Sequence, residues 1–162
     1  MATLATSTRY FNSGTTKVFF LPAIASAVLA PTRSEITAGT DLSAEIADIA
    51  GWTITASTID TPDLGTPYTT NIPGRLTTDA SSLTFYADKA GLDIRTLLPR
   101  DAAGFIVIAD GGDVTGYKCD VFPVRVLSNG KPRGTGEDAA RVMVPFSITK
   151  KPAENVTIPA TV

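Results

Sequence analysis

The segment RVMVPFSI, Arg141 to Ile148, sets Val142, Val144, Phe146 and Ile148 at strictly alternate positions, the period of a strand with one buried face. Strand-length runs of Val, Ile and Thr recur throughout, punctuated at short intervals by 13 glycines and 11 prolines. That punctuation disfavours long helices and favours a β-rich chain. With 162 residues, the chain has the length of one domain with a sizeable core.

GFIVIADGG reads as a buried strand running into a Gly-Gly turn, and YKCDVFPVRVL is expected to pair with RVMVPFSIT across the polar loop SNGKPRGTGEDAA. Thr15 to Leu21 is expected as a strand stopped by Pro22, and TRSE at Thr32 to Glu35 fits a capping box for a short helical turn ended by Gly39. Alternation of Leu42, Ala44 and Ile46, and then of Trp52 and Ile54, predicts one long strand. Ile49 is out of phase, so a bulge or bend is expected at Gly51. Thr61 to Gly74, with its prolines and glycines, reads as an extended loop. RLTTDASSLTFYAD resumes a strand, and a helix is expected to follow, N-capped by Asp88, with Leu92, Leu97 and Leu98 on its apolar stripe and Pro99 at its end.

KVFFLPAIASAVLAPTRSEI, Lys17 to Ile36, imitates a secretory leader: basic residues, an apolar run, then Ala-Ser-Ala. Pro22 interrupts the run early, and Val18 to Ala30 falls short of the roughly 18 to 20 apolar residues of a membrane helix. The run is therefore read as part of the folded protein rather than as a removed leader, and no membrane anchoring is expected. Residues 1–13 are small, polar and aperiodic, an arm with no core of its own. Such an arm is expected to be held by a neighbouring copy.

The 14 basic and 16 acidic side chains are mixed along the chain, for a net charge of −2. No basic face stands ready to hold phosphates, which disfavours tight nucleic-acid binding. With no histidine, imidazole-based triads, bases and metal ligands are excluded. The lone cysteine, Cys119, forms no internal disulfide and reads as a small buried hydrophobe. DGGD, Asp110 to Asp113, reads as a tight turn, since its spacing matches no EF-hand loop. NGKPRGTG, Asn129 to Gly136, has Pro132 where a phosphate loop needs Ser or Thr, and NVT at Asn155 is a glycosylation acceptor only in an exported chain. No catalytic residue, cofactor site or metal site is assigned. Trp52, on an apolar face, reads as a core or interface anchor.

Taken in order, PTRSEITAGTDLSAEIADIAGWTI, the TPDLG and NIPGR loops, SSLTFYAD, DIRTLLPRD, FIVIADGGD and KPAENVTIPA make the sequence similar to the major tail tube proteins of long-tailed phages of actinobacteria, from about Tyr10 to Ala160. The resemblance implies a mainly β chain: a β-sandwich over residues 15–149 with one short flanking helix, an N-terminal arm over 1–14 and an extended tail over 150–162. It further implies a structural, non-enzymatic subunit forming hexameric rings, stacked into the conduit for DNA ejection. The implied partners are further copies of the chain, tape measure and terminator proteins of the tail, and DNA that passes without specific binding. Assembly in the host cytoplasm and residence in the virion tail follow. Candidate inter-subunit residues are Arg9, Tyr10, Phe11 and Trp52; candidate lumen residues are Glu45 and Asp48, since a DNA conduit needs a wall that does not attract phosphate. The competing readings are a capsid or head-tail joining protein, or a secreted β-sandwich binding module.

Overall fold

The structure, a computed structural model, describes residues 2–160. Met1, at the start of the expected arm, and Thr161 and Val162, at the end of the expected tail, lie outside the described residues. In chain order the elements are β1 (Lys17–Leu21), α1 (Arg33–Ala38), β2 (Thr40–Asp41), β3 (Ile46–Ala50), β4 (Ile54–Thr61), β5 (Thr70–Thr78), β6 (Ser81–Tyr86), α2 (Ile94–Leu97), β7 (Ala103–Ala109), β8 (Lys118–Val126), β9 (Arg141–Ile148) and β10 (Ala153–Thr157). The fold is mainly β, with antiparallel pairing throughout the registers described below, and it holds two short helices, the turn expected after Thr32 and the one expected before Pro99. Two compact units divide the chain: one takes the chain up to Glu45, Ala103–Arg125 and the chain from Thr149 on; the other takes Ile46–Ala102 and Val126–Ile148.

In the first unit β1 pairs with both β2 and β7, β7 with β8, and β8 with β10. Phe19 lies opposite Val107, which lies opposite Val121, so one face carries a continuous row joined by Leu21, Ala109 and Cys119 and covered by Ile36 and Ile158. The other face, with Val18, Phe20, Ile106, Phe122 and Val124, is buried as well. Strands buried on both faces read as unbroken apolar runs rather than alternating ones. That is the physical reason for the leader-like run at Lys17: KVFFL is β1, and its two faces supply two layers of core.

The capping box forms as the sequence predicts. Thr32 Oγ1 accepts from the Glu35 amide, and Glu35 returns a carboxylate oxygen to the Thr32 amide at 2.7 Å, with Gly39 as C-cap. The other oxygen of Glu35 takes the Ala25 N–H at 2.8 Å, so one carboxylate fastens both the helix start and the linker behind β1. The amides of Thr32 and Ala25 hold the Glu35 carboxyl below its ordinary range. DGGD is a turn, and Asp113 within it makes a bidentate ion pair with Arg33 of α1 at 2.6 and 2.7 Å.

In the second unit β6 pairs with β3 on one side and with β9 on the other. Leu83 and Phe85 of β6 face the row Val142, Val144 and Phe146 of β9, and these five side chains are buried. β4 and β5 pair with each other as a separate two-stranded ribbon.

Three expectations need correction here. The long strand is broken: residues 43–45 form a turn, and Gly51 and Trp52 divide β3 from β4. The loop 61–74 is shorter than expected, because β5 already starts at Thr70; Pro73 is tolerated beside a register shift, where ladder bonding is interrupted. Gly74 sits at that shift because a Cβ there would lie 2.4 Å from Ser57 Oγ. Finally, Asp88 does not cap a helix. Its carboxylate takes the Leu92 amide in a turn through Gly91, at φ 82°, and the true N-cap is Asp93, whose side chain accepts from the Arg95 amide.

Candidate assembly site

The β4–β5 ribbon combines strand formers with almost no burial. Ile59 and Ile72 are cross-strand partners, each 51 % exposed, and Leu76, opposite Ala56, is 57 % exposed. Its turn presents Leu64 and Tyr68 to solvent as well. Within its strands the only charged side chains are Asp60 and Arg75. Threonines decorate the rest, with Thr61 and Thr70 hydroxyls 2.8 Å apart and each also donating to the other's carbonyl. Isolated two-stranded ribbons are marginal in water, and open edges carry unpaired main-chain donors and acceptors. A ribbon of this kind is suited to pairing with another chain.

The ribbon springs from a short neck. Asp79 N–H donates to Thr53 O at 3.0 Å, and the Asp79 carboxylate accepts the Thr53 hydroxyl at 2.6 Å and the Thr55 hydroxyl at 3.3 Å. Gly51 and Trp52 are both left-handed, at φ 81° and 65°. For a tryptophan that conformation costs on the order of 1–3 kcal/mol and persists only where the surroundings enforce it.

Trp52 is the one candidate contact residue found in the interior, at 8 % exposure. Its indole packs on Phe146 with centroids 5.5 Å apart, its amide donates to Ser81 Oγ and its Nε1–H to Ser82 O. It is thus an anchor within its own subunit, not a residue waiting at a surface. Arg9, Tyr10 and Phe11 lie in the exposed, irregular arm, which runs into a turn where the Thr15 and Thr16 amides donate to Asn12 O. Phe11 is 76 % exposed and Leu4 is nearly fully so. Glu45 is exposed in the turn before β3, while Asp48 is exposed on β3 itself, opposite Thr84. Ser43, in the same turn as Glu45, is engaged within the fold: its hydroxyl donates to Asp41 and accepts from the Val18 amide.

A further polar cluster serves the fold. Asp93, buried at the start of α2, pairs with Lys131, while Arg95 Nε donates to Asn129 O and Asn129 Nδ2 to Leu98 O, pinning the start of the loop that leads to β9. Burial pushes the Asp93 carboxyl up, but Lys131 and the Arg95 amide outweigh it and hold the group below its ordinary value. Burial and the nearby Asp120 and Asp113 push the Cys119 thiol up to about 11, so it stays protonated and unreactive at neutral pH. Among the described residues no group of three potential metal ligands occurs, and no helix is long and apolar enough to cross a membrane.

The exposed apolar pairs of the ribbon are not among the expectations drawn from the sequence. The signal was present as two runs of strand formers of similar length around TPDLGTPY, but the prolines disguised it.

The chain is thus mainly antiparallel β, with an unsupported ribbon and an exposed arm. The sequence model of the phage tail tube protein family matches residues 4–161, and the chain belongs to that family. No curated protein sequence matches it. Among solved structures it is similar to a chain of the anti-feeding prophage baseplate, determined by cryo-EM and 6-fold symmetrised, with a TM-score of 0.54 at 13% identity over 93% of this chain and 95% of that one. That likeness is one of fold. The protein is therefore a structural component of a phage tail, in a family whose members assemble into an oligomeric tube.

Proposed function

We propose that the chain is the major tail tube subunit of a long-tailed phage of an actinobacterial host, closing into hexameric rings that stack into the DNA conduit. The host assignment is supported by the ordered phrases quoted from the sequence. The ring is supported chiefly by one observation, the β4–β5 ribbon, whose outer edges and apolar pairs are left for another copy to cover. The six-fold symmetry of the similar baseplate structure supports six copies.

In this reading residues 15–149 are the tube domain, and the arm 1–14, with Arg9, Tyr10 and Phe11, docks on an adjacent subunit. The tail 150–162 contributes β10. Rings assemble in the host cytoplasm around a tape measure protein and are closed off by a terminator. Glu45 and Asp48 face the lumen, where carboxylates repel DNA phosphates and let the genome slide without specific binding.

Electron microscopy of the purified chain tests this reading: stacked six-fold rings are expected, and a monodisperse monomer at high concentration would reject it. For the lumen, tubes carrying Asp48→Lys should assemble but retard DNA release at low salt, with recovery as salt rises. Normal release at low salt would remove Asp48 from the wall.

A further inference from the structure

We propose that the neck between the β4–β5 ribbon and the β3–β6–β9 sheet is a latch, in which Gly51, Trp52 and Asp79 fix the direction of the ribbon and thereby govern entry into the tube. The inference rests on the docking role proposed above for the ribbon, and it concerns positioning residues that need touch no neighbour.

The chain leaves the sheet at Ala50 and returns to it at Ser81, so residues 51–53 and 79–80 alone carry the ribbon. β4 and β5 make their extensive contacts with each other. Exposed along nearly its whole length, the ribbon is aimed by the neck. A loose neck would leave it sweeping through many directions, and each docking event would have to freeze that freedom; a fixed neck removes the cost in advance.

The neck is fastened from two sides. On the inner side the left-handed pair turns the chain sharply, and Gly51 is required there, because a Cβ would lie 2.3 Å from Ala80 O and 2.8 Å from Ser81 Cα. Trp52 is then held at φ 65° by its amide bond to Ser81 Oγ at 3.1 Å, its indole bond to Ser82 O at 3.2 Å and its packing on Phe146. On the outer side the Asp79 carboxylate gathers the hydroxyls of Thr53 and Thr55, while the Asp79 amide closes the main chain onto Thr53. A flexible linker would require neither the left-handed tryptophan nor the doubly bonded carboxylate.

The test uses the full chain with Asp79→Ala, Thr53→Val and Thr53→Ser. Hydrogen exchange should quicken about tenfold in residues 51–55 and 77–81 of D79A, and the critical concentration for tube formation should rise about tenfold. Protection in β6 and β9 should stay at the wild-type level, which separates a loosened neck from a failing fold. T53V should follow D79A, and T53S, which keeps the hydroxyl, should match the wild type. Unchanged neck exchange in D79A, or a loosened neck with a wild-type critical concentration, overturns the latch alone. Ile59→Lys, placed on the ribbon away from the neck, should block assembly while leaving neck exchange unchanged. If I59K assembles normally, the docking role of the ribbon fails and takes the latch with it.

Discussion

The strands β1, β7 and β8 of the first unit and the β4–β5 ribbon of the second are alike in local preference, and their burial is opposite. KVFFL and FIVIA are apolar at successive positions and buried on both faces; ITASTIDT and TNIPGRLTT intersperse threonines with single aliphatic residues and stay in solvent. β-propensity makes each a strand, but the continuity of apolar residues decides which strand is completed inside its own subunit. The ribbon leaves its aliphatic side chains and outer main-chain edges in solvent, with too little apolar surface to collapse onto a core of its own.

The contrast can be broken most forcefully from the buried side. Phe122→Ala removes a ring at 1 % exposure and should cost about 3–5 kcal/mol of subunit stability, read by urea titration of the unassembled protein. A loss below about 1 kcal/mol would mean that the two-sided burial of β8 contributes little. Next in size is a pH effect from Cys119. Its thiol titrates near 11 when folded but near 8.5 in an unfolded chain, so the unfolded state gives up the proton first. Stability from this group is therefore intact below about pH 8.5 and falls above it, by up to about 1.4 kcal/mol per pH unit, until the folded thiol also ionises. Cys119→Ala should flatten that slope relative to the wild type. Equal slopes in the two proteins would put the thiol in contact with water.

A smaller change is expected at the helix start beside β1, where Thr32→Ala should cost about 1 kcal/mol by thermal melting. No measurable change would show the cap to be redundant with the rest of α1. The smallest stability effect belongs to the ribbon: Ile59→Lys should shift subunit stability by less than about 0.5 kcal/mol, even though tube formation is lost. A large destabilisation would show that the ribbon is part of the subunit's own core after all, and would erase the contrast.

How much of this was legible depends on which physical cause wrote the pattern. The alternation from Val142 to Ile148, the capping box at Thr32 and the turn at DGGD each follow from a local rule that nothing distant overrides, and each is found in place. The break at Gly51 and Trp52 was only half legible. A bend could be expected from the change of register, but the apolar-polar alternation runs through Trp52 and Ile54 as if the strand continued, and nothing in the letters shows a left-handed tryptophan. Asp88 and Asp93 are equally good caps by residue type; the turn through Gly91 decides between them. The fate of Trp52 was settled by packing on Phe146 and by Ser81 and Ser82, some thirty residues away, which alternation cannot report. The ribbon was the least legible element, since Pro73 speaks against a strand and only a register shift makes room for it.

The scarcity of charge along β4 and β5 also bears on the life of a particle outside its host. Contacts made through main-chain hydrogen bonds, hydroxyls and aliphatic surface are scarcely altered by the Debye length, whereas ion pairs at a surface weaken severalfold between fresh water and brine. A tube closed through this ribbon would therefore keep its joints over a wide range of salinity, from dilute to strongly ionic surroundings, without needing a compensating change at any seam.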